Sequence, residues 1–170
     1  MAAPPRRPRG LRPGEAAPVT VHVLDRQRAV AVSAAWLGRV VRRALEREGV
    51  TRAEITVLLV GDRRMAGLHE QWLGIPGPTD VITFDLSADG PRDGLVGDIA
   101  VSGETARRVA REVGWQPRHE IAYYVVHGLL HLAGYDDHDP ADRRAMRARE
   151  RALLRAAGLP TPPPTRGRSR

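Results

Sequence analysis

The segment of residues 117–133 is apolar around nearly its whole circumference, and it constrains the fold more than any other part of the chain. Pro117 suits the first turn of a helix, and Gly134 suits the position just after its end. Large apolar side chains occupy every side of such a helix: Ile121, Val125, Val126, Leu129, Leu130 and Leu132. A helix without a polar face is expected to be buried. We therefore predict a buried central helix with other elements packed around it.

Shorter patterns before and after this helix predict four strands and four further helices. Alternating or β-branched runs place the strands at residues 19–24, 54–60, 79–84 and 95–101. Cap residues followed by apolar stripes place helices after Ser33, Asp62, Ser102 and Asp139. Because the third and fourth strands follow one another with no helix between them, we predict a mixed four-stranded sheet with about five helices, an α+β domain of residues 19–159.

Two residue types that many enzymes use are missing from the chain. There is no Cys, which excludes disulfides, Cys zinc ligands and thiol nucleophiles. All 27 basic residues are Arg, which excludes a P-loop lysine, a Schiff-base lysine and a Ser-Lys dyad. Neither a G-x-S-x-G elbow nor a G-x-G-x-x-G loop is present. Any catalytic site must therefore be built from other groups.

The positive charge is concentrated in the two ends of the chain. The formal net charge is +7, and residues 1–18 contain four Arg and one Glu, while residues 160–170 contain three Arg and no acid. We predict that both segments are disordered, solubilising tails, with non-specific attraction to RNA phosphates as the alternative. No apolar run is long enough to span a bilayer, and residues 1–18 have no signal-peptide core. We predict a cytoplasmic protein without a membrane partner.

A catalytic zinc site is predicted at the end of the central helix. His127 and His131 are four residues apart, so both imidazoles leave one face of the helix, one turn apart. Gly134 lets the chain turn back and present a third ligand from the segment Asp136, Asp137 and His138. Three protein ligands and a water are typical of catalytic zinc, and the pKa of the zinc-bound water falls to about 7. We predict one Zn²⁺ per chain.

The same spacing occurs in zinc peptidases, which carry the pattern H-E-x-x-H. In that pattern the Glu after the first His is the general base, and here the position is Gly128. A peptidase without this base would lose most of its chemistry. The sequence therefore disfavours a peptidase.

Four segments of the chain resemble the YbeY family. They are HGLLHLAGYD at residues 127–136, PTDVITF at residues 78–84, GDI at residues 97–99 and EIAYYVV at residues 120–126. The resemblance implies a zinc-dependent, single-strand-specific endoribonuclease with three His ligands. It also implies a role in 16S rRNA 3′-end maturation and ribosome quality control. The implied partners are single-stranded rRNA, the small ribosomal subunit and ribosomal proteins or an assembly GTPase.

The chain departs from the family pattern at two places. The family has its third His ten residues after the first, where this chain has Asp137, and His138 follows one residue later. We expect His138 to be the third ligand, because a loop after Gly134 can accommodate one more residue, with Asp137 as the alternative. The family also has an Arg before the PTDV segment, a plausible phosphate contact, where this chain reads Trp72, Leu73 and Gly74.

Five further polar residues are candidates for the site. Glu120, Asp136 and Asp98 are considered as partners of the ligands or as a base. The alternative for Glu120 is an ordinary surface or helix-capping role, and the alternative for Asp136 is a role in a turn. Asp98 is expected to have a defined partner, because it lies within a strand. Thr79 and Asp80 are candidates for substrate binding, although a role in the turn before the third strand is favoured.

Two other functions compete with the endoribonuclease. One is a non-catalytic ribosome assembly factor, in which zinc is structural and the basic tails bind rRNA. The other is a zinc hydrolase of another class, such as the peptidase that Gly128 disfavours.

Overall fold

The computed structural model describes residues 19–87 and 94–163. In chain order the elements are β1 (Thr20–Asp25), α1 (Ala34–Arg47), β2 (Ala53–Val60), α2 (Asp62–Leu73), β3 (Val81–Asp85), β4 (Leu95–Ser102), α3 (Gly103–Val113), α4 (Pro117–Leu132) and α5 (Pro140–Ala156). The predicted α+β fold, with a mixed four-stranded sheet and five helices, is confirmed within these residues. The predicted N-terminal tail, residues 1–18, lies outside the described part, as do residues 164–170 of the predicted C-terminal tail, residues 160–170.

The sheet has the strand order β1-β2-β4-β3. Strands β1, β2 and β4 are parallel, whereas β3 pairs antiparallel with β4 at one edge. Side chains alternate between the two faces of a strand, so Ile99 of β4 packs with the core that contains α4, while Ala100 packs on the α2 side. The two faces are therefore covered by different helices.

Helix α4 is the buried centre of the molecule, as its sequence predicts. Ile121, Val125 and Leu130 are fully buried in the core that also contains side chains of α1 and α5. Burial of each such side chain contributes about 1.5–3 kcal/mol relative to exposure. No helix in residues 19–87 and 94–163 combines the length and apolarity needed to cross a bilayer.

Two glycines let α4 lie directly on the β3–β4 pair. A Cβ on Gly128 would come within 2.9 Å of Ile99 Cγ2 and of Thr83 Oγ1. A Cβ on Gly97 would come within 2.7 Å of the Leu132 side chain. The helix therefore approaches the sheet more closely than a side chain at either position would allow.

Most predicted helix starts are confirmed. Ser33 accepts a hydrogen bond from Trp36 N at 3.3 Å, and Ser102 accepts one from Thr105 N at 3.2 Å. Pro117 is the first residue of α4, and Asp139 caps α5 through the backbone amides of the first turn. These caps satisfy amide groups that have no partner within the helix.

The prediction that Asp62 caps α2 is wrong. Gly61 occupies the N-cap and Asp62 is the first helical residue. Its carboxylate instead accepts hydrogen bonds from Ser102 Oγ, from Thr105 Oγ1 at 2.8 Å and from Arg108 Nη1 at 3.2 Å. Burial raises the pKa of Asp62, but these three donors outweigh it and lower the pKa below its ordinary value. Asp62 thus joins the start of α2 to the start of α3.

Candidate metal centre

His127 and His131 lie side by side on α4, one turn apart. Their Nε2 atoms are 3.1 Å apart, and their side chains are 22% and 29% exposed. Both rings therefore combine a fixed position with access from solvent. This arrangement confirms that the two imidazoles leave the same face of the helix.

The contacts of the other ring nitrogens orient both rings. His131 Nδ1 donates to the carbonyl oxygen of Tyr135 at 3.1 Å, and His127 Nδ1 donates to Glu150 Oε1 at 2.8 Å. A carbonyl and a carboxylate can only accept, so Nδ1 of each ring carries a proton. When both rings are neutral, the two Nε2 atoms present lone pairs to each other across 3.1 Å. Two facing lone pairs repel, and a cation bound by both atoms relieves the repulsion.

The neutral form of His131 is favoured near pH 7. Burial lowers the pKa of His131, the neighbouring His127 lowers it further, and Asp137 partly opposes both effects. A neutral imidazole is the form that binds a metal. The donor set therefore fits a divalent cation of the kind that imidazole prefers.

Glu150 is a site residue that the sequence reasoning missed. Its side chain is 3% exposed, and its second oxygen accepts a hydrogen bond from Tyr123 Oη at 2.9 Å. It lies on α5, 23 residues beyond His127. The sequence does contain a signal, because Glu150 shares the buried face of α5 with Met146, Leu153 and Leu154. A carboxylate on such a face requires a partner.

Removal of the Glu150 carboxylate is expected to weaken metal binding. Glu150→Ala leaves His127 Nδ1 without its acceptor, so the ring loses its orientation, and we expect about 10- to 100-fold weaker Zn²⁺ binding. Glu150→Gln keeps an acceptor oxygen and is expected to lose less. Competition with a chromophoric chelator measures the affinity, with the exposed Glu112→Ala as the matched control. Wild-type affinity in folded Glu150→Ala would show that the contact does not orient the ligand.

The loop after α4 brings Asp137 to the His pair. Asp137 Oδ1 lies 3.9 Å from His131 Nε2, and His127, His131 and Asp137 form a group whose candidate ligand atoms all lie within 4.8 Å of one another. The His138 side chain is 87% exposed, and its Nδ1 contacts Asp136 instead. The structure therefore places the alternative ligand, Asp137, beside the pair, and the preferred ligand, His138, away from it.

Asp136 organises the turn. Its Oδ1 accepts hydrogen bonds from the backbone amides of Asp137 at 2.7 Å and His138 at 3.2 Å. The hydrogen bond from the His138 ring lowers the pKa of Asp136, and the same bond raises the pKa of His138. Arg143 of α5 donates to the carbonyl oxygens of Asp137 and His138 at 3.1 and 3.0 Å. The turn role considered for Asp136 is the one seen in the structure.

A second set of contacts supports the acceptor of His131. Tyr135 Oη donates to Glu48 Oε2 at 3.4 Å, and Arg149 of α5 pairs with the other oxygen of Glu48. Arg149 also donates to the carbonyl oxygen of Arg47 at 3.0 Å. The end of α1 and the middle of α5 thus hold the residue whose carbonyl orients His131.

Two of the other predicted residues lie away from the His pair. Glu120 is buried in the first turn of α4, about 10 Å from His127 along the helix at 1.5 Å per residue. Asp98 lies directly opposite Thr56 and Phe84 in the sheet, on the α2 side, whereas its neighbour Ile99 faces α4. The structure therefore places Asp98, a candidate partner of the ligands, on the face of the sheet opposite to α4.

Thr79 and Asp80 shape the start of β3. Asp80 Oδ1 accepts hydrogen bonds from Thr79 Oγ1 at 3.2 Å and from Val81 N at 2.9 Å. The carbonyl oxygen of Asp80 accepts from Ser102 N at 2.9 Å. These contacts match the turn role that the sequence favours for the two residues.

Comparison with known proteins identifies the family. The family model described as Endoribonuclease YbeY matches residues 22–158. The chain belongs to the YbeY family. The protein named Endoribonuclease YbeY from Anaeromyxobacter sp. strain Fw109-5 is 46% identical over 111 residues, which cover 65% of this chain and 58% of that protein. The one from Moorella thermoacetica is 40% identical over 133 residues, which cover 72% of this chain and 85% of that protein.

The chain spans just over half the length of the Anaeromyxobacter relatives, 58% and 55%. The solution structure of TM1509 from Thermotoga maritima has the same fold, with a TM-score of 0.60 at 24% identity over 81% of this chain and 89% of that one. The YbeY resemblance inferred from the sequence is confirmed. Two of the four segments that resemble the family, at residues 97–99 and 127–136, contain Gly97 and Gly128 respectively. At these two glycines α4 and the sheet approach too closely for a side chain.

Proposed function

We propose that this YbeY-family chain is a zinc-dependent, single-strand-specific endoribonuclease acting in the cytoplasm on the 3′ end of 16S rRNA and in ribosome quality control. The observation that carries the proposal is the pair of inward-facing Nε2 atoms of His127 and His131, 3.1 Å apart. The relatives named Endoribonuclease YbeY support RNA as the substrate. The proposed partners are the small ribosomal subunit and ribosomal proteins or an assembly GTPase.

In this proposal the chain's own residues prepare the site before any substrate arrives. Glu150 and the Tyr135 carbonyl hold the protons of His127 and His131 on Nδ1, which leaves both Nε2 atoms free to bind a metal. A zinc ion held there would polarise a phosphoryl oxygen and acidify a coordinated water. The partial exposure of both His side chains leaves an approach for the scissile phosphate.

The third ligand is proposed to be Asp137, with His138 as the alternative. Asp137→Ala is expected to weaken Zn²⁺ binding more than His138→Ala, because Asp137 Oδ1 lies 3.9 Å from His131 Nε2 and the His138 ring is directed to Asp136. Isothermal titration of the two variants side by side measures the difference. The opposite order would establish that the loop turns over on metal binding and that His138 is the ligand.

Metal removal tests the proposed activity. The wild-type protein should cleave a 16S rRNA 3′ precursor, lose cleavage after dialysis against a strong chelator, and regain it when Zn²⁺ is added back. A duplex of the same sequence should remain intact throughout. Cleavage that survives chelation would contradict a metal-dependent reaction. Binding of the precursor without cleavage, at any metal concentration, would favour the assembly-factor function instead.

A further inference from the structure

Helix α5 carries four arginines along one face. They are separated by three, four and four residues, which is the spacing of a single helical stripe: Arg144, Arg147, Arg151 and Arg155. At about 100° per residue they fall within about 80° of one another, and they span about 17 Å along the axis. Arg144, Arg151 and Arg155 are exposed, and Arg147 is half-buried. We call these four residues the arginine stripe.

The arginine stripe differs from the other arginines of α5. Arg143 and Arg149 make hydrogen bonds to the site loop and to α1. None of the four stripe arginines takes part in a hydrogen bond or ion pair within residues 19–87 and 94–163. The stripe also places like charges four residues apart, which disfavours the helix. A row of arginines without acidic partners is suited to binding an anion from outside the protein.

The position of the stripe relates it to the candidate metal centre. Glu150 of the same helix contacts His127. Viewed down the axis, Arg149 lies about 100° to one side of Glu150, towards α1, and the four stripe residues lie about 60–140° to the other side. The arginine stripe therefore borders the flank of the site that lies away from α1.

We propose that the arginine stripe binds successive phosphates of the single-stranded RNA that enters the site. This inference rests on the proposed function, because it takes RNA as the substrate. Guanidinium groups bind phosphate through paired hydrogen bonds, and contacts to the backbone are independent of base sequence. The net charge of the sequence does not indicate the arginine stripe, because the excess of positive charge lies mainly in residues 1–18 and 160–170. The stripe also supplies cationic groups that the exposed apolar segment of Trp72 and Leu73 lacks.

The test compares two variants that lose the same charge. The stripe variant changes Arg144, Arg147, Arg151 and Arg155 to Gln. The control variant changes Arg63, Arg64, Arg107 and Arg111 to Gln, all exposed on α2 and α3. Fluorescence anisotropy with a labelled 2′-O-methyl RNA of about 20 nucleotides, whose phosphates are unchanged, gives the dissociation constant at several salt concentrations for the full-length protein.

The stripe variant is expected to bind at least about tenfold more weakly than wild type at low salt. The slope of log K against log salt should become shallower by about 0.7 for each phosphate that is no longer bound, thus by about 2 to 3 in total. The control variant should keep a slope close to that of wild type. An Arg151→Gln, Arg155→Gln double variant should show about half of the change, and it replaces the fourfold variant if that one does not fold.

Equal changes in both fourfold variants would overturn the proposal, because the effect would then follow from net charge alone. An unchanged slope in the stripe variant would overturn it as well. The binding measurement requires no cleavage, so it decides the role of the stripe separately from the endoribonuclease activity. If the wild type binds the RNA with the expected slope and cleaves nothing, only the proposed activity fails.

Discussion

The His131→Ala protein is expected to cleave a 16S rRNA 3′ precursor about three orders of magnitude more slowly than wild type, or not at all, because the lowered pKa of a metal-bound water depends on the ligands. The substitution removes one of the two Nε2 atoms that face each other across 3.1 Å. It also removes the donor to the Tyr135 carbonyl. Zn²⁺ binding should fall by more than the roughly 100-fold upper range seen for residues that only support a ligand.

A His at a distance from the site provides the matched control. His22 is exposed on β1, so His22→Ala should keep wild-type cleavage and wild-type Zn²⁺ affinity. Thermal unfolding of both variants shows whether the fold is retained. Equal cleavage by His131→Ala and wild type would place the nuclease activity elsewhere, in a contaminant or at a metal-independent site, and would remove the basis of the proposed function.

Local sequence signals were sufficient where the structure depends on local chemistry. The spacing of His127 and His131 fixes two rings on one face of a helix, and the apolar circumference of α4 demands burial, so both features were predictable. Ser33 and Ser102 cap their helices for the same reason, because a cap hydrogen bond joins residues three apart. The family signature lies in the same short segments.

Long-range contacts were not predictable from local patterns. Asp is a residue type that commonly caps helices. The carboxylate of Asp62 instead accepts hydrogen bonds from Ser102, Thr105 and Arg108, which are about 40 residues away in the sequence. Glu150 reaches His127 only because α5 folds back along α4. Strand β4 has buried apolar residues on both faces, Ile99 towards α4 and Ala100 towards α2, so their alternation does not indicate which face Asp98 occupies.

The choice between Asp137 and His138 shows the limit of motif reasoning most clearly. The family pattern gives the residue type of a ligand, whereas the direction of a side chain in a turn depends on local hydrogen bonds. Here the Asp136 side chain bonds both following amides and the His138 ring, and the turn then directs Asp137 towards His131. In this loop Asp137, and not His138, therefore lies beside His131.

The Gly128→Glu substitution, which creates the H-E-x-x-H pattern of zinc peptidases, is expected to destabilise the domain severely and to produce no peptidase activity. A Cβ at position 128 would lie 2.9 Å from both Ile99 Cγ2 and Thr83 Oγ1, on the side of α4 that faces the sheet. Overpacking costs about 1–3 kcal/mol, and a buried, unpaired carboxylate costs several kcal/mol more. We therefore expect a loss of at least about 4 kcal/mol in the free energy of unfolding, a large part of the stability of a typical domain.

The matched control places the same substitution on a helix where there is room for a side chain. Gly67 lies in α2, and a Cβ at this position would have no atom within 4 Å, so Gly67→Glu should change stability by about 1 kcal/mol or less, in the stabilising direction. Urea unfolding and casein cleavage, measured on both variants, test the expectation. A folded Gly128→Glu protein that cleaves casein would mean that position 128 opens to the metal centre. Loss of folding at Gly128 alone would instead show that the packing of α4 on the sheet, and not only a missing base, excludes peptidase chemistry from this site.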